Sequence, residues 1–197
     1  MALDLVAAPS LEPISVAELK LVGRLRAGTA EDALLATIIQ AARELGESLV
    51  RRAFVTQTWN QIHDAFPSND DPIRLERPPV QSIVSVTYVD DDQVVQTMDS
   101  SAYVLDRTTW PGGWLFPAAT TSWPTPGDFI NAVTVQYIAG YGDASADVPA
   151  RIRHWMYMVC TYMYENRTAF DFSGKQIDLP GRFTDSLLDG FRRYAKN

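Results

Sequence analysis

The stretch "RPPVQSIVSVTYVDDDQVVQTM" occupies residues 77–98, and the fold turns on how it is read. After Pro78-Pro79, the residues Ile83, Val84, Val86, Tyr88 and Val89 supply the β-branched and aromatic side chains of a strand. "DDDQ" (90–93) is a polar turn, and "VVQTM" (94–98) is the return strand of a hairpin. Residues 77–92 hold no cysteine or histidine to act as nucleophile or base, and no soft metal ligand.

Outward from this hairpin the chain continues in the same style. "FVTQTWNQIHDAF" (54–66), "PIRL" (72–75), "AYVLD" (102–106) and "INAVTVQYIAGYG" (130–142) are further strands. The segment 108–128, rich in Trp, Pro and Gly, reads as a long loop. Short strands at close spacing predict a small antiparallel sheet or a barrel-like module.

Helices flank the module. Ser15 with Glu18 predicts a capping box on "SVAELKLVGRL", and Thr29 with Asp32 predicts a second cap. Leu34, Leu35, Ile38, Ile39, Ala42, Leu45 and Leu49 then recur at helical spacing, and the helix closes on Arg51 and Arg52. Asp147, with Pro149 in the first turn, predicts the start of a long helix, "VPARIRHWMYMVCTYMYENR". The expected architecture is α+β: a helical base carrying an inserted small antiparallel β module. Residues 1–53 are the N-terminal helices of the base, 54–147 the β-rich module, and 148–167 the long helix of the base. Residues 168–197 are a C-terminal arm ending in a short amphipathic helix.

Composition narrows the function classes. Hydrophobic residues make up 46% of 197, ordinary for a folded domain and too many for disorder. Cys160 is the single cysteine, so neither an intrachain disulfide nor a cysteine-built metal site is possible. No run of about 18 apolar residues predicts a membrane span, and "MALDLVAAPSLEPISV" does not read as a secretory signal. The net charge is −7, unevenly spread: −1 over residues 1–53, −9 over 54–150 and +3 over 151–197. An acidic middle argues against tight nucleic-acid binding, which rests on Lys and Arg.

Candidate chemistry is sparse. His63 and Asp64 are neighbours on a strand, so their side chains point to opposite faces and make a poor catalytic pair. His154 sits in the last long helix beside Trp155 and reads as structural. Asp90, Asp91 and Asp92 offer hard oxygen ligands, but without the spaced pattern and closing glutamate of an EF-hand. "GYGD" (140–143) lacks the Lys-Ser/Thr of a phosphate loop. No enzyme activity, metal or cofactor is expected. Trp110, Trp114 and Trp123 could pack under the sheet, anchor a protein partner or stack on a sugar.

Four segments in order bear on a family: "EPISVAELK", "AEDALLATIIQAARELGESLVRRAFVTQTW" (30–59), "IRLERPPVQSIVSVTYVDDDQ" (73–93) and "VQYIAGYGDASADVPARIRHWMYMVCTYMYENR" (135–167). Their order and spacing resemble the head–tail connector (adaptor) proteins of tailed bacteriophages and gene-transfer particles. The Trp-rich loop 108–128 stands outside the resemblance.

The resemblance implies a virion structural protein, made in the bacterial host cytoplasm and placed in the particle neck. It implies a homo-oligomeric ring, a dodecamer in the particle, beneath the portal protein. The ring would extend the DNA channel and offer a surface to the next neck or tail protein, a stopper or terminator. DNA would pass without sequence-specific binding, and no membrane is involved. The portal-docking arm would carry Phe170, Phe172, Leu187, Leu188 and Phe191. Trp110, Trp114 and Trp123 are the candidate interface or loop anchors, and Asp90, Asp91 and Asp92 the channel-lining or neighbour-facing acids. The alternative is a β-module binding protein that recognises a glycan or cell-surface partner through the Trp-rich loop.

Overall fold

The computed structural model describes residues 1–26, 28–109, 112–166 and 186–192. It contains helices and antiparallel sheets, the α+β class expected from the sequence. The chain divides into two units, residues 1–10 with 56–141 and residues 11–55 with 142–197.

The first unit is built from strands β1 (Ala2–Ala7), β2 (Gln57–His63), β3 (Ile73–Arg74), β4 (Val80–Val89), β5 (Val95–Thr97), β6 (Tyr103–Asp106), β7 (Trp114–Pro117) and β8 (Val133–Ala139). Five form one sheet in the order β1-β2-β8-β4-β5, and three form another in the order β3-β7-β6. β8 is central, and its alternation is complete: Val133, Val135, Tyr137 and Ala139 are buried while the residues between them are half-buried.

β4 is bent where the opening stretch breaks its own alternation. Its register against β8 shifts between Val80 and Ser82 and again between Ile83 and Ser85. Each bulge turns the strand, and Val84 ends up 49% exposed. Two strands were not anticipated. β1 is an edge strand with almost every side chain exposed, so it carries no burial pattern to read. β7 lies inside the segment expected to be loop, entered through Gly113 at φ +79°.

Polar side chains hold the two sheets together. Gln61 is fully buried. Its Nε2 donates to the Arg74 carbonyl (2.9 Å), and its Oε1 accepts from the Glu76 N–H (2.8 Å). The Tyr137 hydroxyl donates to the Glu76 carbonyl at 2.5 Å, and burial pushes its pKa well up. Satisfying each buried polar atom is what makes such a junction favourable.

The second unit contains α1 (Val16–Val22), α2 (Asp32–Val50) and α3 (Ala150–Glu165). The predicted capping box on α1 is made: Ser15 Oγ accepts from the Glu18 N–H, and Glu18 Oε2 accepts from the Ser15 N–H. Two predicted caps are not. α2 starts after Glu31 with no side-chain cap, and Thr29 contributes only its carbonyl, to the Asp32 N–H. Asp147 instead closes a one-turn 3-10 helix by accepting from the Ala144 N–H, and α3 starts after Pro149. α2 ends at Val50, where Arg51 takes the left-handed conformation (φ +55°) and its N–H returns to the Glu47 carbonyl.

The core of this unit is Leu35, Ile39 and Ala42 of α2 with Ile152, Trp155, Met156 and Val159 of α3. Gly46 is the close-approach point. A Cβ there would lie 2.7 Å from Phe54 Cε2 and 2.8 Å from Trp155 Cζ3. A buried ion network runs beside it. Arg43 Nε donates to Glu12 Oε2 (2.8 Å) and its Nη1 to Glu47 Oε2 (3.0 Å), while Glu47 Oε1 accepts from the Phe54 N–H (2.7 Å). Cys160 is buried beside α2, and burial pushes its thiol up to about 12, which keeps it protonated and inert.

Candidate assembly surfaces

The acidic hairpin is an organised turn. The Asp90 N–H donates to the Val94 carbonyl and the Gln93 N–H to the Asp90 carbonyl, both at 3.0 Å. Gln93 sits at φ +62°, a conformation that glycine adopts more easily. The Asp90 carboxylate is taken up inside the turn. It accepts from the Asp92 and Val94 N–H groups and from Gln96 Nε2. These bonds, the Gln96 one foremost, lower its pKa. Asp91 and Asp92 are left exposed. Val94 and Val95 beside them are 52% and 64% exposed, a feature the strand reading passed over. Two successive valines directly after an acidic turn were the available signal.

The tryptophans divide. Trp110 lies outside the described residues. Trp114, on β7, has the Arg74 guanidinium 5.9 Å from its ring centre. Trp123 is held within its own unit. Its N–H donates to Asp70 Oδ1 (2.9 Å), its Nε1 donates to the Asp71 carbonyl (3.0 Å), and its ring stacks on Phe66 with centroids 5.0 Å apart. Phe66 and Trp123 help to line an open cleft of about 430 Å³ with Asp64, Asp70 and Asp128.

Of the arm residues, Phe170 and Phe172 lie outside the described residues, while Leu187, Leu188 and Phe191 fall within the segment 186–192. Leu188 is fully buried. The Phe191 carbonyl accepts from Arg52 Nε (2.7 Å), the Arg151 guanidinium lies 5.6 Å from the Phe191 ring centre, and Arg151 Nη2 donates to the Ser186 carbonyl. Arginines from the end of α2 and the start of α3 thus clasp this segment through neutral acceptors.

The histidines form no catalytic pair. His63 is half-buried with its Nε2 2.9 Å from Gln61 Nε2, and burial pushes its pKa down. The Asp64 carboxylate accepts from the Asn131 N–H. Among the described residues, no group of three His, Cys, Asp or Glu side chains could hold a metal ion. No helix among them is long and apolar enough to cross a membrane.

No protein-family model matches the chain, and no curated protein does. Solved structures do. A chain from the neck of an empty GTA particle computed with C6 symmetry superposes with a TM-score of 0.80 at 21% identity, covering 100% of this chain and 98% of that one. A chain from the virion of a native gene transfer agent (GTA) particle gives 0.79 at 21% identity with the same coverage. One from the neck of a native GTA particle computed with C12 symmetry gives 0.78 at 18% identity, again with the same coverage. The chain has the fold of these particle chains. That fold includes both units and leaves no part of this chain unmatched.

Proposed function

We propose that this chain is a structural neck protein of a gene-transfer or tailed-phage particle, with no enzymatic role. One observation carries the reading: the likeness to neck and virion chains runs over 100% of this chain and 98% of theirs. A binding domain borrowed for another purpose would be expected to match only in part. The C6 and C12 symmetry of the neck structures supports a homo-oligomeric ring in the particle, a dodecamer beneath the portal protein. The ring extends the DNA channel and meets a stopper or terminator protein on its far side. The helices form its base, and the β unit is the inserted module.

Charge supports DNA passage. The β unit holds 11 acidic and 3 basic side chains, a net −8. A surface that repels phosphate lets DNA slide without holding it. In this reading the C-terminal arm docks on the portal mainly through apolar residues. Leu188, being buried in its own chain, anchors the arm's end, and the half-buried Leu187 and Phe191 beside it are the described candidates for docking contacts. The glycan-binding alternative needs free aromatic faces, whereas Trp123 has one face stacked on Phe66 and its N–H groups engaged.

The test is to mix the purified protein with portal-bearing, DNA-filled heads and image them by electron microscopy. A collar at the portal vertex is the expected outcome. Bare heads, with the protein monodisperse in solution, would overturn the reading.

A further inference from the structure

Two features of the molecule remain without an assigned partner. The first is the hairpin between β4 and β5, which sets Asp91 and Asp92 beside the bared side chains of Val94 and Val95. Asp90 bonds the turn internally, so the tip is pre-formed and little order is lost when it docks. The second is an open groove of about 400 Å³ on the helical unit. Val22, Tyr157, Met158 and Tyr162 line it together with Arg24, His154 and Glu165. Val22 is 52% exposed and its neighbour Leu21 81%. Arg24 stands just past the end of α1 in the left-handed conformation (φ +52°) and makes no ion pair among the described residues.

We propose that the hairpin of one copy seats in this groove of the next copy around the ring. Val94 and Val95 cover Val22, Met158 and the two tyrosines, while Asp91 and Asp92 meet Arg24 and His154. The inference rests on the ring reading and gives that ring its subunit contact. The two patches differ, so the contact is heterologous: it repeats from copy to copy and is completed only by closing a ring. Charge matches in the same direction. The hairpin belongs to the unit of net −8, and the groove to a unit with 14 basic and 13 acidic side chains, net +1. A wall made only to repel DNA needs acids and water, and two adjacent bared valines serve no purpose there. A small apolar patch rimmed by charge is the mark of a protein contact.

The experiment uses full-length protein on portal-bearing heads, with collar occupancy counted by electron microscopy. Arg24→Glu alone, and Asp91→Lys with Asp92→Lys, should each lower occupancy about tenfold or more at limiting protein. The three changes together should restore it, which misfolding could not do. As a direct probe, Val95→Cys with Met158→Cys should give a ladder of thiol-crosslinked oligomers in assembled collars, the native Cys160 being buried. Collars that form equally well with every charge variant and give no ladder overturn this contact, leave the ring reading standing and assign the groove to another neck protein. Unaltered protein that forms no collar fails the ring reading itself, and this contact with it.

Discussion

The two units use charge in opposite ways. In the helical unit, acids and bases are nearly balanced and many are joined. Arg43 bridges Glu12 and Glu47, Arg153 pairs with Glu18, and Lys20 with Asp32. In the β unit, 11 acids face 3 arginines, and Asp64, Asp70, Asp71, Asp91, Asp92, Asp99 and Asp128 are exposed. There the interior is held by neutral groups: Gln61, Tyr137 and backbone carbonyls. One unit's charges serve largely its own fold, and the other's are left to act on what lies outside the molecule. That division suits the proposed function, in which one part holds its shape and another meets a polyanion or a neighbour.

The contrast can be broken most sharply at Glu47. Its carboxylate holds both Arg43 and the Phe54 N–H inside the helical unit. Glu47→Ala removes one side of a buried ion pair and should cost about 3–5 kcal/mol. Hydrogen-exchange protection should then fall across α2 and α3, while β2 and β8 keep theirs. Equal loss in the strands would mean that the units do not differ as described. In the β unit the matching change is Tyr137→Phe, which removes the hydroxyl that donates to the Glu76 carbonyl. Its cost should be smaller, about 1–3 kcal/mol by urea unfolding. A change there as large as at Glu47 would erase the distinction between an ionic interior and a neutral one.

The hairpin sharpens the comparison from the surface. Gln93 holds a left-handed conformation that costs an ordinary residue roughly 1–2 kcal/mol. Gln93→Gly should therefore stabilise the β unit by about 1 kcal/mol, part of the gain being lost to the greater freedom of glycine in the unfolded chain. A destabilised variant would show that the Gln93 side chain, and not its backbone, fixes the tip.

How much of this was legible in the sequence follows from what kind of signal each part carries. α2 and β8 were readable because periodic burial leaves a pattern in the apolar residues, and β4, despite its two bulges, because β-branched and aromatic residues crowd it. β1 and β7 were not. The first buries almost nothing, and the second has four residues among glycines and prolines. Cap residues read from the sequence held once in three: Ser15 with Glu18 closes its box, while Thr29 and Asp147 each lie two residues before the N-cap of the helix they were expected to start. Gln61 finds its partners 13 and 15 residues further on, and Arg43, besides its i,i+4 partner Glu47, finds Glu12 31 residues back, so no local pattern reports their burial. At the candidate surfaces, Asp91 and Asp92 were visible as acids, but the exposure of Val94 and Val95 became evident only with the shortness of β5.

The smallest expected effect is a pH dependence confined to the β unit. His63 Nε2 faces Gln61 Nε2, whose other N–H is held by the Arg74 carbonyl, so the imidazole nitrogen must accept. Protonating it would set two donors against each other. Burial, helped by the positive N-terminus, lowers its pKa against the opposing pull of Asp64. The folded chain thus takes up this proton less readily than the unfolded chain does. The stability that follows is fully present above the unfolded value of about 6.5 and is lost as pH falls through the lower folded pKa. Urea midpoints should therefore decline as pH drops below about 6.5, and His63→Asn should flatten that decline. The hydrogen-bonded carboxylates of Asp90, Asp99 and Asp106 have lowered pKa values and lose their contributions only in stronger acid, so the two effects separate on the pH axis. An identical decline in the Asn variant would remove His63 as its source. A decline that appears in the protection of α2 and α3 instead of β2 would place the acid-sensitive charge in the helical unit, whose ionic network would then not be closed within its own fold.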